Sequence, residues 1–398
     1  MPTWNFSKVR PSEKTREPIQ GEFFTSDSID RNGEALVREG IQNSLDAGPD
    51  QPVHVRLFVS GESFGVPEDT MSEYSDGLWE HVNAPRNGLK DRPSASEPCP
   101  FIVFEDFGTS GLEGDVHQYV PLAGVKNPFY HFVRAEGRSD KGENERGRWG
   151  VGKFVFPSAS RANTILCATV RADDNRRMLI GQTVLKTHEV DGDFYTPDGF
   201  FGERQDNGLT LPVDDVAEFE SFCRTFDLKR ADKPGLSIVI PWHDADITAE
   251  ALLVATMVGY FYPILTGRLT VNVTSPNDSI SLSAETFEDE VNKVDQELVG
   301  DLASFLPLAN HACKKEIAVS LSQPDPARAA KWAEAMVSDE ARNQINARLE
   351  TGECVSVRVP LTVRKKPRDE TPSYFDIHLK RDSENLSLIH ISEPTRPY

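Results

Sequence analysis

The chain has 398 residues, 38% of them hydrophobic, enough for two ordinary domains with cores of their own. A formal net charge of −20 gives an average field that repels phosphate backbones, so any nucleic-acid contact needs a local basic patch. Five scattered cysteines, never in a C-x-x-C pair, imply neither a disulfide framework nor a zinc site.

Residues 1–20 are polar and punctuated by proline, and read as an extended arm. They contain no signal-peptide apolar region, and no apolar run in the chain approaches the roughly 18 residues of a membrane span. The expectation is a cytoplasmic protein with no membrane partner. A helix is predicted over about 33–47. Within it "REGIQNSLDAG" (Arg38–Gly48) carries Glu39, Asn43 and Asp46, which fall within roughly 60° of one another at ~100° per residue. Val37, Ile41 and Leu45 gather on the other side. Taken alone, a solvated polar stripe on an amphipathic helix accounts for this pattern.

A strand "PVHVRLFVS" (52–60) follows, then a Gly-, Ser-, Pro- and acid-rich stretch (61–99) read as a long, partly ordered insertion. "PFIVFED" (100–106) is a continuous apolar run ending in carboxylates, the pattern of a buried strand with polar groups at its tip. After a glycine-bearing loop, a helix is predicted around 128–135, then a second glycine-rich loop, then strands at 163–171, 178–186 and 235–242. A change of texture puts a domain boundary near 245. Beyond it come a helix (248–265), a strand (268–274), a helical stretch (326–349) and two strands (354–364 and 373–381). "RKKPR" (Arg364–Arg368) is the clearest basic run, and a solvated loop accounts for it. The last stretch, "LSLIHISEPTRPY" (Leu386–Tyr398), resembles the translated end of a sequencing adapter. That resemblance implies a non-native tail and a natural chain continuing beyond Asn385.

Two glycine motifs carry the chemistry. In "EDFGTSG" (Glu105–Gly111) a carboxylate at a strand tip can accept a hydrogen bond from an exocyclic amine, as on adenine. Its glycines let backbone approach a flat ring. A tight turn explains the same residues. "DFG" without an H-R-D catalytic loop does not make a protein kinase. In "RGRWGVGKF" (Arg146–Phe154) the residues Gly147, Gly152 and Lys153 fit G-x-x-x-x-G-K. A P-loop then needs Ser or Thr, and Phe154 stands there instead. What remains is a glycine loop whose amides, with Lys153, can meet phosphate oxygens.

In this order the motifs resemble those of the GHKL, or Bergerat-fold, ATPases: gyrase-type topoisomerases, heat-shock chaperones, histidine kinases and MutL proteins. "EGIQNSLDA" (Glu39–Ala47) resembles the N-box. "DFGTSG" is similar to the adenine-site motif D-x-G-x-G, with one extra residue between the glycines. "GRWGVGK" resembles the lid motif. "GLSIVIP" is similar to the final strand motif, with Ser237 in the Thr position. The resemblance covers roughly residues 22–245.

It implies an α/β (α+β sandwich) Bergerat ATP-binding fold, a mixed sheet with helices on one face, followed by a smaller α/β domain. The domains would be an arm (1–20), an ATP-binding domain (21–245), a truncated transducer-like or partner-binding domain (246–385) and the tail (386–398). By the same resemblance Glu39 would be the general base, and Asn43 a Mg²⁺ ligand and ATP-binding residue. Asp46 would help orient water or the adenine side. Asp106 would read the adenine amine, with Gly108 and Gly111 against ring and ribose. Gly147, Gly150, Gly152 and Lys153 would close over the triphosphate, and Ser237 would bond near the adenine.

The expected function is an ATP-hydrolysing conformational switch with ATP and Mg²⁺ as cofactors. It would dimerise on ATP, in bacterial DNA maintenance or anti-phage defence. The alternatives are a chaperone-like ATPase acting on protein clients, or a nucleotide-sensing module with little turnover. Glu39 favours hydrolysis over histidine-kinase chemistry. The transducer domain of the family contributes a lysine to the γ-phosphate. Lys314, Lys315, Lys365 and Lys366 are the candidates here, and nothing in the sequence chooses among them. His311 and Cys313, with no partner ligands nearby, read as ordinary core or surface residues.

Overall fold

The computed structural model describes residues 2–12, 15, 32–48, 51–135, 154–314, 316–322, 334–366, 369–381 and 392–394. The chain divides into two compact units, Met1–Glu290 and Val291–Tyr398.

The first unit is built on an 11-stranded mixed sheet. Its strands are β1 (Thr3–Lys8), β2 (Val53–Val59), β3 (Phe101–Phe107), β4 (Thr164–Val170), β5 (Arg177–Val184), β6 (His188–Val190), β7 (Asp193–Arg204), β8 (Thr210–Leu211), β9 (Gly235–Pro241), β10 (Leu269–Thr274) and β11 (Ser279–Leu282). They run β1-β7-β5-β4-β9-β3-β2-β10-β11, with β6 and β8 paired on β7. The pairings are antiparallel except β10 with β2, which is parallel and aligns Leu269 with Val53 and Val273 with Leu57. The connection that permits a parallel pair is the helix between β9 and β10.

Alternation along β3 sorts the sheet into two faces. On one face lie Ile102, Phe104 and Asp106. They are covered by α1 (Asn32–Ala47), whose Gly40 sits so close that an added Cβ would stand 2.6 Å from Phe104 Cε2. On the other face Phe101, Val103, Leu166, Val170 and Val239 join one core with Met71 and Tyr74 of α2 (Glu68–Ser75), which precedes the short α3 (Trp79–Val82). Beyond α4 (Pro128–Val133) and α5 (Val155–Ser158), helix α6 (Val216–Thr225) adds Phe219 and Phe222 to that second face. Tyr74 stacks edge-on against Phe222 at 5.3 Å, and Phe101 against Phe226 at 5.2 Å.

Helices therefore cover both faces, against the expectation of one. The face bearing Phe101 and Val103 is as apolar as its opposite and must be buried too. The stretch 61–99 is the reason for half of this cover. It is an ordered segment that buries Met71, Tyr74, Leu78, Val82 and Cys99. Within the expected arm (1–20), β1 pairs with β7 from Thr3↔Gly202 onward.

After β9 the chain enters α7 (Ala249–Leu265), capped by Thr248, whose hydroxyl accepts from Ala251 N at 3.1 Å. α7 is kinked at Tyr260 (φ −130°, ψ 18°), one turn before Pro263, which cannot donate to the preceding turn. Because β10 and β11 belong to the large sheet, residues 246–290 are part of the first unit. The division falls at Glu290 rather than near 245.

The second unit holds a 4-stranded sheet, β12 (Val319–Ser320), β13 (Val355–Lys366), β14 (Asp369–Leu379) and β15 (Ser392–Pro394), in that order. Val355, Val357 and Val359 form its core with Met336 and Ala341. His311 Nε2 lies 2.9 Å from Ser356 Oγ, which is 2.8 Å from His378 Nδ1. No helix among the described residues is long and apolar enough to cross a membrane.

Candidate functional site

The end of β3 joins the two motifs. Asp106 is 6% exposed and faces α1. Its Oδ1 accepts from Thr109 Oγ1 at 2.7 Å and from Leu236 N at 2.8 Å, and its Oδ2 accepts from Ser44 Oγ at 3.0 Å. Gly40 O, 3.1 Å from the same hydroxyl, shares its single proton in the i−4 position common for a helical serine. Among the described residues, three donors converge on this acceptor-only group, two on Oδ1 and one on Oδ2.

The loop beyond Asp106 turns at Gly108 (φ +80°) and Gly111 (φ +71°), both in the left-handed region that glycine adopts without cost. A Cβ at Gly108 would meet Pro52 O at 2.6 Å, and one at Gly111 would meet Val170 O at 2.4 Å. Both glycines are thus required by the loop itself, whatever else approaches it. Leu112 N then donates to Thr169 Oγ1 at 3.0 Å, tying the loop to β4.

Glu39, Asn43 and Asp46 share the flank of α1 turned from its buried residues Val37 and Ile41. The Glu39 side chain is 33% exposed and has Arg38 Nε 3.4 Å from its Oε1. Asn43 is exposed, and Asp46 Oδ1 accepts from Gln42 Nε2 at 2.9 Å. The lid residues Gly147, Gly150, Gly152 and Lys153 lie outside the described residues, as does Lys315. Lys314 is exposed at the end of its helix.

Ser237 lands elsewhere. It sits opposite Glu105 in the β3–β9 ladder and shares the far face of the sheet with it. Its hydroxyl donates to Glu105 Oε1 at 2.8 Å and accepts from Arg230 Nε at 3.0 Å. Glu105, fully buried, also accepts from Arg56 Nη1 at 2.9 Å and from Lys229 N at 3.1 and 3.0 Å. Arg230 Nη1 donates to the carbonyls of Lys233 and Pro234 and Nη2 to that of Leu236, and the guanidinium lies 4.5 Å over the Phe107 ring. Burial pulls Arg230 below the usual guanidinium range, opposed by the nearby Asp106 and Glu105 carboxylates. This is a satisfied ionic lock under the site. Ser237 therefore braces β3 from behind, where proximity to the base was expected.

Sequence reading missed three partners of Asp106: Ser44, Thr109 and the Leu236 amide. The first two stand inside the motifs, beside Asn43 and Gly108, and their hydroxyls were the available signal. The amide had none. No protein-family model matches the chain, and a comparison with curated proteins returns no match.

Proposed function

We propose that the chain is a magnesium-dependent ATP-binding and ATP-hydrolysing conformational switch of the GHKL, Bergerat-fold type. The observation that carries this reading is the Ser44–Asp106 bond, which brings the N-box-like helix and the adenine-site-like loop together over one buried carboxylate. Asp106 fits a base with an exocyclic amine, because among the described residues its Oδ2 accepts from Ser44 alone. Asn43 fits Mg²⁺, a hard cation that takes few protein ligands beside phosphate oxygens and water.

When bound, the metal supplies neutralisation of phosphate charge. Glu39, one turn before Asn43, orients and deprotonates the attacking water. Gly108 and Gly111 carry backbone past ring and ribose. By the same resemblance Gly147, Gly150, Gly152 and Lys153 would meet the triphosphate, and two copies would pair on ATP.

One observation favours the low-turnover alternative. The Arg38 guanidinium beside Glu39 Oε1 competes with water for the carboxylate. Both readings are tested by measuring ATP binding and magnesium-dependent hydrolysis for the wild type and Glu39→Ala. Binding by both with turnover only in the wild type supports the switch. Binding without turnover in either supports the sensor, and no binding by the wild type overturns both.

A further inference from the structure

Helix α1 meets β3 along the line of Gly40 and Ser44, with Leu36, Val37 and Ile41 buried beside it. Gly40 rests on Phe104, and Ser44, roughly 40° round the helix at ~100° per residue, bonds to Asp106. Gly40 presents no side chain, so its contact with Phe104 interlocks less than a side chain set in a groove would. Glu39, Asn43 and Asp46 lie roughly 80–140° round from this line, and Arg38 about 140° round in the other sense. Any rock about the seat swings the Glu39 carboxylate.

A directional contact stands on the Arg38 side. Tyr260, 7% exposed, donates its hydroxyl to the Arg38 carbonyl, on the peptide that leads into Glu39. α7 reaches this position at its kink, where Tyr260 leaves helical geometry one turn before Pro263. Burial and the neighbouring Glu39 carboxylate push the phenol up, so the hydroxyl stays a donor. The apolar packing of Val37 and Ile41 is non-directional by comparison.

We infer that Tyr260 is a positioning residue for Glu39, its hydroxyl bond to the Arg38 carbonyl fixing the roll of α1 so that the carboxylate meets the attacking water. The inference rests on the reading of Glu39 as the water-activating base. A misplacement of about 1 Å at a reacting group can cost on the order of 100-fold in rate, so a partial loss of roll control is expected to cost about 10-fold.

The test is a double-mutant cycle on the full chain with Tyr260→Phe, Glu39→Gln and both together. ATP binding, kcat and melting temperature are read for each. Tyr260→Phe keeps the packed ring, so it should melt within a few degrees of the wild type and bind ATP within about 2-fold. Its kcat should fall about 10-fold, and the double variant should be no slower than Glu39→Gln. A kcat for Tyr260→Phe within about 2-fold of the wild type overturns the inference, as does a Tyr260→Phe loss that multiplies fully onto Glu39→Gln. Unchanged turnover in Glu39→Gln, or no ATP binding by the wild type, overturns the functional reading first and this inference with it.

Discussion

Ser44 and Asp106, 62 residues apart in the chain, meet at 3.0 Å where α1 crosses the end of β3. The hydroxyl donates to the one carboxylate oxygen that no backbone amide occupies, while Thr109 and Leu236 N hold the other. Orientation of Asp106 is thus fixed before any ligand arrives.

Asp106→Asn separates acceptor from scaffold. The amide oxygen can still accept from Thr109 and Leu236 N, and its NH₂ can donate to Ser44 Oγ, so the fold should survive. On the proposed reading, a donor then stands where the base amine would donate. ATP affinity should fall about 100-fold, the scale of a lost hydrogen bond to a charged group, with melting shifted by only a few degrees. Equilibrium binding and thermal unfolding of the same sample check both halves.

Ser237→Ala should behave in the opposite way. It removes one donor to Glu105 and one acceptor from Arg230 on the far face. A stability loss of about 1–3 kcal/mol is expected with ATP affinity within about 2-fold of the wild type. Denaturant titration beside a binding isotherm distinguishes this from a contact with the base, which would cost affinity.

Gly40→Ala sets two effects against each other. Alanine favours helix by about 1 kcal/mol, but its Cβ would stand 2.6 Å from Phe104 Cε2. Overpacking of a filled core costs about 1–3 kcal/mol, so a net loss near 1 kcal/mol is expected. Combining it with Phe104→Leu should recover part of the clash, and urea midpoints of the single and double variants measure this.

The acid limb of stability should depend on His81. Its Nδ1 lies 2.7 Å from His188 Nε2, and its ring stacks on Phe6 at 3.6 Å. His188 Nδ1 is 2.8 Å from the Lys186 carbonyl, so His188 donates there and accepts from His81. Burial, then the adjacent His188, pushes His81 down to about 4. Tyr195 and the exposed Glu80 also face it. An unfolded chain takes up this proton near pH 6.5 and the folded chain only near 4. Stability should therefore be full above about pH 6.5 and fall by about 3 kcal/mol as pH drops towards 4. His81→Phe should flatten that slope in denaturant titrations at stepped pH.

The helix around Glu39 and the strand ending at Asp106 were legible because each follows its own period, 3.6 for α1 and a short apolar run for β3. The stretch 61–99 was not. Glycine, serine, proline and acids make up more than half of it, yet Met71, Tyr74, Leu78 and Val82 recur at helical spacing and are buried. The face that Ser237 takes was not legible, because a residue in a strand points to one of two faces. Which one follows only from its register against Glu105, a pairing 132 residues distant. The membership of β10 in the large sheet was hidden for the same reason, since its partner β2 lies more than 200 residues earlier.

That parallel pairing decides how the protein can be cut. A polypeptide ending near 245 would lose β10 together with α7, leaving β2 as a bare edge with Val53, Val55 and Leu57 uncovered on one side. Unprotected edges of this kind recruit other chains and aggregate. A polypeptide ending at Glu290 keeps the edge capped by β10 and β11 and retains Tyr260 against α1. For expression of the first unit by itself, the extra forty-odd residues keep that edge paired.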